Sequence, residues 1–354
     1  LHNSQNLKTN VYFLFWGVVF SGISLFVLEI STRFLDLAPP VLQEHSRYVS
    51  DRHLPFKPKP FSIISGRSST GEFNYTYRHN SFGFRDVEHS RENHDDVYRI
   101  LGLGDSFTYG AGVQFEETYL YQLERMLSMR DETHRKVEII KAGIPRYYPK
   151  PERILLEKYG VNYSPDLIII GFLPNDVINT YYGIDYLEVD NSGYLRSDEG
   201  KNVGVIGTWL YKQSYFFRVL FKEYISYKNS KKYQPEWGDI NKSNGFHEKE
   251  WVKIENEFRK IISIARKIDS RVIFVHIPQK GPWNDSHYYP SKRLSKLTKN
   301  NNAEFLDILP AMIKASKHKS LYYENDGHCT PAGHKIIAGE IFDYIVKNIQ
   351  YKNE

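Results

Sequence analysis

The stretch RILGLGDSFTYGAGV, Arg99 to Val113, runs an apolar segment into two glycines, an aspartate and a serine. Gly102, Gly104 and Gly110 suggest a phosphate cradle, while Ser106 suggests a nucleophile. The cradle fails on spacing. A dinucleotide fingerprint needs G-x-G-x-x-G, and Phe107 occupies the third glycine's place; a P-loop needs a lysine after its last glycine, and none follows Gly110. The nucleophile elbow G-x-S-x-G fails as well, because Thr108 stands where its second glycine belongs. What remains is a serine just past a buried strand, at the sheet end where open α/β folds bind ligands. Taken alone, it reads equally well as a turn or N-cap residue and as a nucleophile.

Outward from this stretch, strand and helix patterns alternate. VYRILGLG, KVEIIKAG and PDLIIIGF are short apolar runs that predict buried strands. ETYLYQLERMLSM has helical spacing through Tyr119, Leu120, Leu123 and Leu127. KPERILLEKYG predicts a helix with Pro151 near its start and Gly160 past its end. The alternation breaks after Asp176 and resumes with the amphipathic WVKIENEFRKIISIARKI, the strands RVIFVHIP and AEFLDI, and a last helix from Pro331 to Ile349, N-capped by Thr330. Such alternation implies βαβ units and a parallel sheet, hence one α/β domain over 96–350 with an insertion at about 177–247. Residues 37–95 read as loops and short strands, with a hairpin around Gly71.

The composition, 41% hydrophobic and 25% charged, is that of a globular chain. Its net charge of +5 is spread along the sequence, which speaks against a nucleic-acid partner. The single Cys329 excludes an intrachain disulfide and a multi-cysteine metal site. Between Lys8 and Glu29 lie twenty uncharged residues, and about 20 residues span the ~30 Å hydrocarbon core of a bilayer. No small-x-small cleavage site follows, so residues 1–36 read as an uncleaved transmembrane anchor, ended by the prolines of LAPP, with the main body outside the cytoplasm.

A serine nucleophile needs a base, an orienting acid and oxyanion donors from elsewhere in the chain. The C-terminal ENDGHCTPAGH offers Asp326 and His328 in a loop before the last helix; His334, in that helix's first turn, reads as a surface residue. Asn175, after the third strand, offers a side-chain amide, and Gly143, after the second, a backbone N–H that a substrate oxygen can approach.

Together these blocks resemble the SGNH/GDSL hydrolase superfamily. GDSF is similar to its serine block, Gly143 in KAGIP to its glycine block, GFLPND to its asparagine block and DGHCTPAGH to its histidine block, over roughly Arg99 to Ile349. LEISTRFLDLAPP and YRHNSFGFRD resemble the upstream parts of membrane-anchored bacterial members. The resemblance implies a three-layer α/β/α flavodoxin-like fold, with Ser106 as nucleophile and His328 as base. The Ser106 and Gly143 N–H groups and the Asn175 amide would form the oxyanion hole. Two positions depart from the pattern: Lys141 replaces the asparagine of N-A-G, and the acid's usual place three before the histidine holds Asn325, leaving Asp326 for that role. The expected activity is ester hydrolysis without metal or organic cofactor, on an ester such as an O-acetyl group, carried by a small molecule or a surface glycan. An O-acetyltransferase and a non-catalytic glycan-binding module are the alternatives. In the insertion, Tyr181, Tyr182, Tyr186, Trp209 and Tyr211 either stack on sugar rings or pack on the core.

Overall fold

The computed structural model describes residues 2–35, 37–38, 47–68, 70–92, 96–130, 136–183, 188–189, 195–196, 204–230, 247–281, 283 and 288–348. They fall into two compact units, Leu1–Leu42 with Asp198–Gln234, and Gln43–Ser197 with Pro235–Glu354. The first unit begins with α1 (His2–Phe34). Its part Asn10–Phe34 contains an 18-residue stretch with a mean hydropathy of 2.2 and is long and apolar enough to cross a membrane. Two further helices of this unit, in the segment 204–230, are taken up below in chain order.

In the second unit, β1 (Tyr48–Val49) pairs with β2 (Lys57–Pro58), and β3 (Ile63–Arg67) with β4 (Asn74–Arg78). The expected hairpin turn is there, with Gly71 at φ 75°. The α/β succession then starts: β5 (Val97–Gly104), α2 (Ser106–Tyr109), α3 (Tyr119–Ser128), β6 (Lys136–Gly143), α4 (Pro149–Lys158), β7 (Leu167–Phe172) and α5 (Asn175–Tyr182). The inserted segment holds a small antiparallel pair, β8 (Glu188–Val189) and β9 (Leu195–Arg196), then α6 (Gly204–Gln213) and α7 (Tyr215–Ser230) of the first unit. The succession resumes with α8 (Glu248–Lys267), β10 (Arg271–His276), α9 (Tyr288–Asn300), β11 (Glu304–Asp307), α10 (Leu309–Ser316) and α11 (Pro331–Asn348). Ile349 and Tyr186 lie outside the described residues.

Five strands form one parallel sheet in the order β11-β10-β7-β5-β6. This is the flavodoxin-like order, whose switch point lies between the first and third strands, here β5 and β7. Successive strand residues point to opposite faces, and both faces are covered. Ile100, Ile139, Ile169 and Ile273 pack with α3, α10 and α11. Leu101, Ile140, Ile168 and Phe274 pack with α4 and α8. The three layers follow from strands that are apolar on both sides.

At the carboxyl edge of this sheet, three strand ends carry glycine: Gly104 on β5, Gly143 on β6 and Gly171 on β7. The short α2 lies directly on them. A Cβ on Gly104 would stand 2.1 Å from Thr108 Oγ1, one on Gly171 2.5 Å from the same atom, and one on Gly143 2.4 Å from the Tyr109 nitrogen. Only hydrogen fits. Gly143→Ala keeps the backbone N–H but forces α2 off the sheet. Its cost is expected at about 1–3 kcal/mol, as for overpacking elsewhere, read from the midpoint of chemical denaturation. An unchanged midpoint would show that α2 does not need that floor.

Candidate active site

Ser106 opens α2 because Asp105 before it is a good N-cap: the Phe107 N–H donates to Asp105 Oδ1 at 2.9 Å. As the first helical residue, Ser106 has an N–H with no helical partner, free to serve a ligand. On the other side of the switch point, Asn175 opens α5 and its Nδ2 donates to Asp105 Oδ2 at 2.9 Å. One carboxylate therefore starts the serine's helix and orients the asparagine's amide.

The loop before α11 supplies the rest. His328 Nε2 lies 2.8 Å from Ser106 Oγ, and its Nδ1 lies 2.5 Å from Asp326 Oδ1. Burial alone would raise the pKa of Asp326, but the hydrogen bond and charge of His328 outweigh it, and the carboxyl is held below its ordinary value. An ionised Asp326 accepts the Nδ1–H, which leaves Nε2 as the acceptor for the Ser106 hydroxyl. Phe107 packs on the imidazole, ring centroids 5.0 Å apart. Of the two positions considered for the acid, the one two before the histidine puts Asp326 on it, and Asn325, three before, is exposed.

Two residues sit differently from the sequence reading. His334 is fully buried instead of lying at the surface: its ring stacks on Tyr119, and Nδ1 accepts the Tyr119 N–H at 3.2 Å. Burial pushes its pKa down to about 3, so it stays neutral. Gly143 does not aim its N–H at Ser106. The Ile144 N–H reaches inward to the Gly104 carbonyl at 3.0 Å, whereas the N–H groups of Ile139 and Lys141 face outward to Glu124 and Asp86. Strand alternation puts the Gly143 N–H on that outer edge. The glycine serves the site as floor. Beside it, Lys141 is buried between Asp86 at 3.2 Å and Glu124 at 2.8 Å, so an ion pair closes the sheet edge where the family pattern has an amide.

Several residues at the site carry no sequence signature. Glu72, on the β3–β4 turn, accepts the backbone N–H groups of Glu324, Asn325 and Asp326 at 2.7, 3.0 and 2.8 Å. Three successive N–H groups converging on one carboxylate form an anion nest. From the same segment, Arg85 donates to the carbonyls of Gly110 and Val113, and Tyr77 Oη accepts the Gly112 N–H. The upstream hairpin region thus grips both the turn after Ser106 and the loop bearing His328.

Beneath the serine lie three buried carboxyl groups, Asp105, Glu152 and Asp176. Burial raises the pKa of all three, and their mutual repulsion raises those of Glu152 and Asp176 further. Their donors rank them. Asp105 accepts two N–H bonds, Asp176 one from Leu173 at 3.3 Å, and neither oxygen of Glu152 has a partner among the described residues. Donors oppose the rise most at Asp105, and no hydrogen bond opposes it at Glu152. No group of three or more His, Cys, Asp or Glu suited to a metal ion occurs among the described residues.

The sequence model of the GDSL-like lipase/acylhydrolase family matches residues 103–336. No curated protein matches the chain by sequence. Among solved structures, TesA is 11% identical over 70% of this chain and 97% of its own, with a TM-score of 0.43. A catalytic mutant of Axe2, an acetylxylan esterase from Geobacillus stearothermophilus, is 13% identical over 73% and 97%, TM-score 0.43. The acetyl xylan esterase AlAXEase is 16% identical over 70% and 99%, TM-score 0.41.

Two measurements follow from this geometry. A carboxyl whose folded pKa is raised stabilises the fold below its unfolded value and loses that contribution as pH rises through the folded value. Relative to Glu152→Gln, the native chain should therefore lose stability as pH rises above 4.5, with a slope of up to about 1.4 kcal/mol per pH unit. Thermal midpoints of the two chains against pH check this, and parallel curves would refute a neutral Glu152. For Glu72→Gln, hydrogen exchange at the amides of 324–326 should quicken several-fold, while amides of β5 and β7 stay protected.

Proposed function

Because the chain belongs to the GDSL-like lipase/acylhydrolase family, we propose that it is a membrane-anchored serine esterase acting through Ser106, His328 and Asp326. The observation that carries this reading is the unbroken hydrogen-bond chain from Asp326 through His328 to Ser106 Oγ. Its geometry suits proton transfer: the Ser106 hydroxyl lies within hydrogen-bond reach of one imidazole nitrogen, and a carboxylate holds the other.

In the proposed cycle, His328 Nε2 takes the Ser106 proton as Oγ attacks the ester carbonyl. The resulting oxyanion accepts the Ser106 N–H and the second N–H of the Asn175 amide, whose first is occupied by Asp105. Donors of this kind are worth about 3–4 kcal/mol each. His328 then gives the proton to the leaving alcohol, and water, deprotonated by the same imidazole, cleaves the acyl-enzyme. The acyl group we favour is acetyl, carried on a glycan outside the cytoplasm, with α1 as the anchor. Support for the anchor is the uncharged run between Lys8 and Glu29, within a helix long and apolar enough to cross a membrane.

The test is fluorophosphonate labelling and acetyl-ester turnover by the full chain in detergent, beside Ser106→Ala and Asn175→Ala. Ser106→Ala should abolish labelling and cut turnover at least about a thousandfold. Asn175→Ala should lower kcat by about 100–1,000-fold with a small change in KM, since its bond strengthens only in the transition state. Equal labelling of the native chain and Ser106→Ala would remove Ser106 from the mechanism. Added glycan that becomes acetylated faster than the ester is hydrolysed would make the protein a transferase.

A further inference from the structure

The first unit holds a pair of helices whose place is set by charged residues of α1. Glu29 accepts the Ser214 hydroxyl at 2.7 Å and the N–H groups of Tyr215 and Phe216, both at 3.0 Å. It thereby caps the N-terminus of α7 from another helix. One turn on, Arg33 donates to the Gln213 carbonyl at 2.7 Å, pairs with Glu29 at 2.6 Å, and lies 4.6 Å over the Tyr215 ring. The α6–α7 junction is thus clamped to α1 five residues from its end at Phe34. At about 1.5 Å per residue, that is roughly one and a half turns inside the end of the helix, where the uncharged run after Lys8 stops.

Both helices turn apolar side chains outward. On α6, Ile206 and Trp209 are 75% and 59% exposed; on α7, Leu220, Tyr224 and Tyr227 are 50–58% exposed. Spacings of three and four residues put each set on one helix face. The inward side is already occupied, by Tyr211 against Phe221 and by a buried Arg218 over Tyr215. A ten-residue helix is about 15 Å long, too short to cross a bilayer. α7 is longer but carries Arg218, Lys222, Glu223 and Lys228, so neither is a second span.

We propose that α6 and α7 form an interfacial membrane-binding element, their Ile206/Trp209 and Leu220/Tyr224/Tyr227 faces seated in the headgroup region of the bilayer that α1 crosses. Continuity carries the choice of occupant. The clamp fixes the junction at the end of the span, where headgroups begin, and tryptophan and tyrosine are the side chains that favour that layer. The inference rests on α1 being a membrane anchor, and it adds a second contact that a single span does not require.

The experiment uses the full chain reconstituted into phosphatidylcholine–phosphatidylglycerol vesicles containing a diazirine-bearing phospholipid, with adducts mapped by peptide mass spectrometry after illumination. Adducts are expected on α1 and on peptides from 204–230. In the triple variant Ile206→Ser, Trp209→Ser, Leu220→Ser, those on 204–230 should fall several-fold while α1 labelling is unchanged. Adducts on α1 alone would overturn the interfacial element and keep the anchor. Adducts on neither would overturn the anchor and the inference with it. Cross-linking of 204–230 to a second copy in place of lipid would also overturn it, assigning that face to self-association.

Discussion

Hydrogen is the only substituent that fits at Gly104, Gly143 and Gly171, and the position of Ser106 depends on that. With three adjacent strand ends left bare, α2 drops onto the sheet. Thr108 fills the space where side chains of β5 and β7 would otherwise stand, and Ser106 lands over the switch point between those strands. Asp105 is then in reach of Asn175 across the same gap. A single bulkier residue in the floor would tilt the helix, and Ser106 Oγ would leave the 2.8 Å approach to His328.

Electrostatics beneath that floor are uneven. A carboxylate at Asp105 is tolerated because two N–H groups face it, and it repays them by holding the Asn175 amide in one orientation. Glu152 and Asp176, with fewer donors or none, are pushed further towards the neutral acid. The sheet's outer edge has a different solution, with Lys141 paired between the carboxylates of Asp86 and Glu124. Charge is thus favoured where donors surround it.

Much of this was legible in the sequence. The doubly apolar strands, the α/β alternation, the placement of Ser106, Asn175 and His328 at strand or loop ends, and the choice of Asp326 over Asn325 all rest on local patterns. What escaped depends on phase or on distance. Gly143 was correctly placed at a strand end, but which way an N–H points is set by the ladder register, which spacing does not carry. His334 looks exposed in its own helix; Tyr119, more than two hundred residues earlier, buries it. Glu72 meets its three N–H groups some 250 residues away. No motif marks a carboxylate that works only by being in the right place.

The grip of the upstream segment on both catalytic loops also bears on what the working enzyme is. The stretch 103–336 matched by the family contains Ser106, Asn175, Asp326 and His328, yet Glu72, Tyr77 and Arg85 lie before it. Those residues behave as a ligand tethered to its receptor, docked by local concentration and not by bulk affinity. A gene trimmed to the family boundary would encode Ser106, Asn175, Asp326 and His328 and omit the restraints on how they meet. Its product would hold all four with a loosened 324–328 loop. The smallest fully braced fold is therefore larger than the segment that names its family.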